Sequence, residues 1–321
     1  MDNIKWGIIG CGDVTEVKSG PGFQKASGSE LVAVMRRNGE LAKDYAERHH
    51  VPKWYDNAEA LIADPEVDAV YIATPPAFHK EYAIQCALAG KAAYVEKPMA
   101  VTFEDCQIML REFEKNNVPL FVAYYRRALD YFVKVKELVA DGTIGEVRFV
   151  SVVQYQKPAV DSQSDLPWRL IPELSGGGLF HDVASHTLDV LDYILGPIAK
   201  ASGLSANQAK AYAADDIVSA NFEFSNGALG IAVWCFNSFK YFDINEITGS
   251  KGKITFSTFG AAPITVETED GVKEYAFTNP AHVQQPLIQA VVNELHQQGK
   301  SPSNGVSAAR TSWVMEQILK K

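Results

Sequence analysis

Short apolar runs alternate with longer amphipathic stretches through the first third of the chain. The runs are Lys5–Gly10, Leu31–Met35, Ala69–Ala73, Ala92–Glu96 and Leu120–Ala123. Between them, Glu40–His49, Ala77–Leu88 and Thr102–Lys115 carry apolar residues at helical spacing. Thr102 and Asp105 open the last of these like a capping pair. Strands apolar on both faces, each followed by a helix, predict a parallel sheet covered on both sides. The pattern therefore predicts an α/β, doubly wound domain over residues 1–123.

Beyond that point the periodicity changes. A helix is expected around Tyr131–Ala140, and strands then recur without helices between them. Asn226-Gly227 separates the strand-like runs Ile217–Phe224 and Ala228–Phe236, a strong hairpin signal. Gly252 and Asp270-Gly271 mark further turns. One long helix, Gly178–Ile194, precedes this region, and His282–Gln298 and Ser307–Leu319 are helical again. Residues 124–321 are thus expected to form an α+β domain with a large, mostly antiparallel open sheet. No internal repeat or low-complexity segment is visible.

Composition narrows the class. A chain of 321 residues is long for one core, and 47% hydrophobic with 21% charged residues is ordinary for a globular protein. A net charge of −9 argues against a nucleic-acid partner, though it leaves room for a local phosphate pocket. Cys11, Cys86, Cys106 and Cys235 are scattered without a CxxC pair, as in a reduced intracellular protein. The start, Met1-Asp2-Asn3-Ile4-Lys5, lacks a signal-peptide layout, and no stretch approaches the roughly 18 apolar residues of a membrane helix. A cytoplasmic protein with no membrane partner is expected.

The chemistry-bearing residues fall at strand ends. Gly10-Cys11-Gly12 follows the first strand directly, with Asp13 and Val14 opening the next segment. Glycines there let backbone approach a pyrophosphate; Thr15 occupies the third glycine position, and the pair alone would equally suit a plain tight turn, but the strand before it favours the cofactor. The second strand ends Arg36-Arg37-Asn38, with no acid for ribose hydroxyls but two guanidiniums for a 2′-phosphate. That favours NADP over NAD; a pair of solvated surface charges is the bland alternative. Thr74-Pro75 closes another strand and His79 starts a helix on the crevice side, both placed for cofactor contact. Glu96-Lys97-Pro98 ends the next, where a lysine is placed to polarise an oxygen or pass a proton. Asp182 and His186 stand four apart on the expected helix, hence on one face, so the carboxylate can orient the imidazole.

Four segments together resemble the Gfo/Idh/MocA family of glucose–fructose oxidoreductase, inositol dehydrogenase and their relatives. They are Gly7–Val14 (GIIGCGDV), Asp64–His79 (DPEVDAVYIATPPAFH), the EKP of Glu96–Pro98, and Gly176–Gly196 (GGGLFHDVASHTLDVLDYILG). The resemblance implies a Rossmann domain followed by a substrate domain whose sheet often forms a dimer interface. It implies a catalytic set of Lys97, Asp182 and His186, with His186 as acid/base, Asp182 as its orienting partner and substrate ligand, and Lys97 as oxygen polariser. Position and resemblance together make Gly10, Gly12, Asp13, Val14, Arg36, Arg37, Thr74, Pro75, His79, Glu96 and Lys97 the candidate cofactor contacts. Pro167–Leu170 resembles a segment of the anhydrofructose-reductase branch, making Trp168 and Arg169 candidate sugar contacts; Trp168 as plain core is the alternative. Tyr125 and Arg126, just past the last parallel strand, are further substrate candidates.

The expected activity is NADP(H)-dependent hydride transfer at a CH–OH or C=O centre of a sugar-like substrate. A NAD-dependent glycosidase of the same fold and a non-catalytic cofactor sensor are the competing readings. No metal is expected, since His181 and His186 are five apart and do not share a helix face well. A homodimer or dimer of dimers is expected, because a one-sided sheet leaves apolar surface uncovered, with Val233 and Phe236 on opposite faces.

Overall fold

The computed structural model describes residues 2–159 and 166–320, and the statements below concern those residues. The chain divides into two compact units, Met1–Leu129 with Asn279–Ala309, and Asp130–Thr278 with Arg310–Lys321. The sequence pattern predicts one crossing at 123/124 and no return. The chain does return.

In the first unit, β1 (Ile4–Ile9), β2 (Ser29–Met35), β3 (Lys53–Tyr55), β4 (Ala69–Ile72), β5 (Ala92–Val95) and β6 (Leu120–Val122) form one sheet in the order β3-β2-β1-β4-β5-β6. All its pairings are parallel. β4, β5 and β6 are buried at every residue, which is why they read as unbroken apolar runs. The helices are α1 (Asp13–Val17), α2 (Gly20–Lys25), α3 (Gly39–Arg48), α4 (Ala58–Ala63), α5 (His79–Leu88) and α6 (Phe103–Lys115). Strand order reverses between β1 and β4, and the crevice beyond the carboxyl ends of such strands is where dinucleotides bind.

The second unit opens with α7 (Asp130–Ala140) and β7 (Val147–Tyr155), continues through α8 (Pro172–Ser175), and reaches a π-helical turn (Phe180–Ala184) that runs into α9 (Ser185–Leu195). The strands that follow are β8 (Ile198–Ala206), β9 (Ile217–Phe224), β10 (Leu229–Cys235), β11 (Phe242–Gly249), β12 (Gly252–Phe256), β13 (Ile264–Thr268) and β14 (Gly271–Tyr275). Their sheet has the order β14-β13-β12-β11-β7-β10-β9-β8. Every pairing is antiparallel except β10 with β7. The hairpin expected at Asn226-Gly227 joins β9 and β10, with Asn226 Oδ1 accepting the Ala228 N–H at 3.0 Å.

One face of this sheet is dry. Phe180 meets Trp234 edge-on at 5.3 Å, placing the π-helical turn over that side, where Val150, Val152, Ala232 and Ile247 are buried. Phe236 is buried as well, whereas Val233 alternates with it onto the more open face.

The return of the chain has a packing cause. In α10 (Gln285–Leu295), Leu287, Ile288, Val291 and Val292 are fully buried in a cluster with Trp6, Phe23, Tyr71 and Tyr94. α11 (Gly305–Leu319) begins in the first unit, where Ala308 and Ala309 join the core, and passes into the second from Arg310. An amphipathic stripe tells that a helix packs, not which distant core receives it.

Candidate active site

The first unit's site is built on the ends of β1, β2, β4 and β5. Gly10 has φ of 91°, and a Cβ there would lie 3.0 Å from Thr74 Cγ2 and 3.1 Å from the Ala73 carbonyl carbon. Only glycine fits that turn. Its N–H and that of Cys11 both donate to the Met35 carbonyl, at 2.8 and 3.1 Å, joining the end of β1 to that of β2. Gly12 differs: a Cβ there would meet nothing nearer than Gly10 O at 3.9 Å. The protein's own packing does not require that glycine, so the space is open to a ligand. Asp13 and Val14 follow at the start of α1, which is five residues long and followed by a separate α2 rather than one long helix.

Arg36 and Arg37 are exposed just past β2, and the Arg37 guanidinium sits 5.4 Å from the centroid of the Phe78 ring. Thr74 and Pro75 are half-buried at the end of β4, and Thr74 Oγ1 has no hydrogen-bond partner among the described residues. An orphaned hydroxyl at a strand end suits a polar ligand.

His79 departs from expectation. It is fully buried, with Nε2 2.7 Å from Thr74 O and Nδ1 3.1 Å from Pro98 O. Burial holds its pKa below the usual histidine value. The ring fastens the β4 and β5 end segments together instead of presenting itself to a cofactor. Glu96 is likewise turned inward: Oε1 accepts from Tyr71 Oη and Gln284 Nε2, both at 2.6 Å, and Oε2 accepts from the Lys97 N–H at 3.1 Å. Lys97 itself is half-buried. Past β6, Arg126 is buried with its guanidinium 4.9 Å from the centroid of the half-buried Tyr125 ring.

In the second unit, three expected residues come together. A 3₁₀ turn, Trp168–Leu170, puts the Arg169 guanidinium 4.5 Å from the Trp168 ring centroid and Arg169 Nε 3.4 Å from Asp182 Oδ2. Trp168 is half-buried and Arg169 exposed, so the tryptophan is not plain core. Asp182 lies in the π-helical turn and His186 in the first turn of α9. The single α-helix expected over Gly178–Ile194 therefore carries a wide turn at its acidic residue, a feature that recurs at functional sites.

His186 is 5% exposed and meets Phe259 edge-on at 5.6 Å. The Phe259 segment is fixed from behind, because the Asp243 carboxylate accepts the N–H groups of Thr258, Phe259 and Gly260 at 3.2, 2.6 and 3.2 Å. α9 is anchored by a bidentate Arg310–Asp192 pair at 2.8 and 2.7 Å. His181 packs on Gly177, where an added Cβ would collide with its ring. Burial brings its pKa down to about 4, so it stays neutral. Tyr71, Gln284, Asp243 and Phe259 carried no local sequence signal, since each is recruited by a partner distant in the chain.

Residues 4–124 match an oxidoreductase family with an NAD-binding Rossmann fold, and residues 132–255 match the Gfo/Idh/MocA C-terminal domain. The chain belongs to the Gfo/Idh/MocA oxidoreductase family. It is 39% identical to Oxidoreductase P35 of Formosa agariphila over 98% of this chain and 97% of that one. It is also 30% identical to a 1,5-anhydro-D-fructose reductase of Ensifer adhaerens, over 60% of this chain and 56% of that one. A levoglucosan dehydrogenase solved with NADH and levoglucosan shares the fold, with a TM-score of 0.86, 24% identity, and coverage of 99% of this chain and 97% of that one. As a member of the Gfo/Idh/MocA family, this protein is an NAD(P)-dependent oxidoreductase, which leaves the sensor reading without support.

Proposed function

We propose that this protein is an NADP(H)-dependent oxidoreductase that transfers a hydride to or from a CH–OH or C=O carbon of a sugar, polyol or sugar derivative. The observation that carries the reading is the grouping of Trp168, Arg169 and Asp182 just before His186. An aromatic face suits the C–H surface of a sugar ring, and a guanidinium with a carboxylate suits its hydroxyls. The names of the anhydrofructose reductase and the levoglucosan dehydrogenase support the same substrate class.

NADP, when bound, supplies the hydride acceptor, and its reduced form the donor. The open space at Gly12 and the orphaned Thr74 hydroxyl fit such a group. Gly10, Gly12, Asp13 and Val14 would line its pyrophosphate, Thr74, Pro75 and Lys97 the remainder, and Arg36 with Arg37 the 2′-phosphate. His186 takes or returns the hydroxyl proton, Asp182 orients the imidazole and binds a substrate hydroxyl, and Lys97 Nζ donates to the reacting oxygen. Tyr125 and Arg126 belong to the same substrate set.

A panel of sugars and polyols with NADP⁺, and of their carbonyl forms with NADPH, followed by nicotinamide absorbance, tests this. Turnover of at least one polyhydroxylated compound, with NADP(H) preferred, is expected. Cleavage of aryl glycosides with NAD, and no net absorbance change on any sugar, would overturn it in favour of a glycosidase.

We propose a homodimer or dimer of dimers through the open sheet face, where Leu229 is 59%, Ile231 56% and Phe149 42% exposed. A cytoplasmic site suits cysteines that are all free thiols. No helix among the described residues is long and apolar enough to cross a membrane.

A further inference from the structure

We infer that Gln284 is a positioning residue for Lys97, acting through Glu96; this rests on the role proposed for Lys97 above. Glu96 directly follows β5 and is 8% exposed, so bulk water does little to satisfy its carboxyl group. Two neutral donors converge on one of its oxygens: Tyr71 Oη and Gln284 Nε2, each 2.6 Å from Oε1. The other oxygen accepts the main-chain N–H of Lys97. With Oε1 held from two directions the carboxyl plane has one orientation, and Oε2 fixes the backbone that carries the lysine.

Gln284 is itself held at both ends. Its Oε1 accepts from Tyr94 Oη at 3.3 Å, and its N–H donates to Lys18 O at 3.1 Å. It is 1% exposed and stands immediately before the apolar stretch of α10, where a leucine or methionine would pack as well without needing partners. An amide at that position therefore serves its hydrogen bonds. Of the titratable groups around Glu96, Tyr71 on β4 and Tyr94 on β5 are kept neutral by burial, as is His79 on α5. The residue that sets the strand end thus comes from 188 positions further along the chain.

Loss of the Gln284 donor leaves Oε1 with one partner and lets the carboxyl group turn, and a misplacement of about 1 Å at a reacting group costs on the order of 10²-fold in rate. The test is a double-mutant cycle on single-turnover hydride transfer with Gln284→Met and Lys97→Ala, alongside NADPH titration. Gln284→Met is expected to slow transfer about 10–100-fold while NADPH affinity stays within about two-fold. In the Lys97→Ala background the same substitution is expected to change the rate by less than about three-fold, because the group it positions is gone. Tyr71→Phe, a smaller change at the same oxygen, should show the same non-additivity if Gln284→Met fails to fold. Equal losses in both backgrounds, or a loss confined to NADPH binding, would overturn the inference and make Gln284 a structural residue. Wild-type transfer by Lys97→Ala alone would instead overturn the role given to Lys97, and with it the reason for positioning it.

Discussion

Past the end of β2 two guanidiniums stand exposed where a ribose-binding acid would otherwise be, and the proposed preference for NADP rests on them. Replacing Arg36 and Arg37 with neutral residues should weaken NADP(H) by roughly 2–4 kcal/mol and leave NAD(H) unchanged, as titration of both coenzymes would show. An unchanged preference would place the 2′ pocket elsewhere. His181 makes a prediction of another kind. Burial lowers its pKa from 6.5 to about 4, so the unfolded chain takes up a proton that the folded chain refuses. Its contribution to stability is complete above the unfolded value and is lost as pH falls through about 4. Melting temperature should therefore decline on acidification through that window, and His181→Gln should flatten the decline; an equal slope in both proteins would remove His181 from the account. Residues at strand ends were legible in the sequence because position along an alternating pattern locates the crevice side. His79 was legible as to place but not as to direction, because only the fold shows Thr74 O and Pro98 O closing on its ring. Gln284 was not legible at all, since its partner lies far along the chain.

Among the elements, β1, β2 and β4–β6 appear where apolar runs predict them, and so do α3, α5 and α6. The predicted start of α6 is real, with Thr102 Oγ1 accepting the Asp105 N–H at 3.0 Å. Thr102→Ala should cost about 1 kcal/mol, measurable by denaturant titration; no loss would mean the cap is solvent-compensated. β3 has no sequence signature because three residues with one face wet offer no period to read, and α1, α2 and α4 have none because five or six residues make fewer than two turns. The π-helical turn at Asp182 has no period of its own in the sequence. It is set by its surroundings, with Phe180 on Trp234 and His181 against Gly177.

For the whole molecule, the sequence carried the order of the two architectures but not the route of the chain, because α10 looks the same whichever core receives it. Assembly is the testable consequence at this scale. If the proposed dimer forms, Ile231→Lys on the open sheet face should convert it into a monomer in light scattering at micromolar concentration, with the melting transition retained; a wild-type monomer under those conditions would contradict the proposed interface. At the proposed centre His186 carries the proton that accompanies the hydride. Single-turnover hydride transfer by His186→Ala, with NADPH titrated in parallel, tests it most directly. The expected result is a rate lower by about 10²–10⁴-fold with NADPH affinity unchanged. Transfer at a near wild-type rate would contradict the assignment.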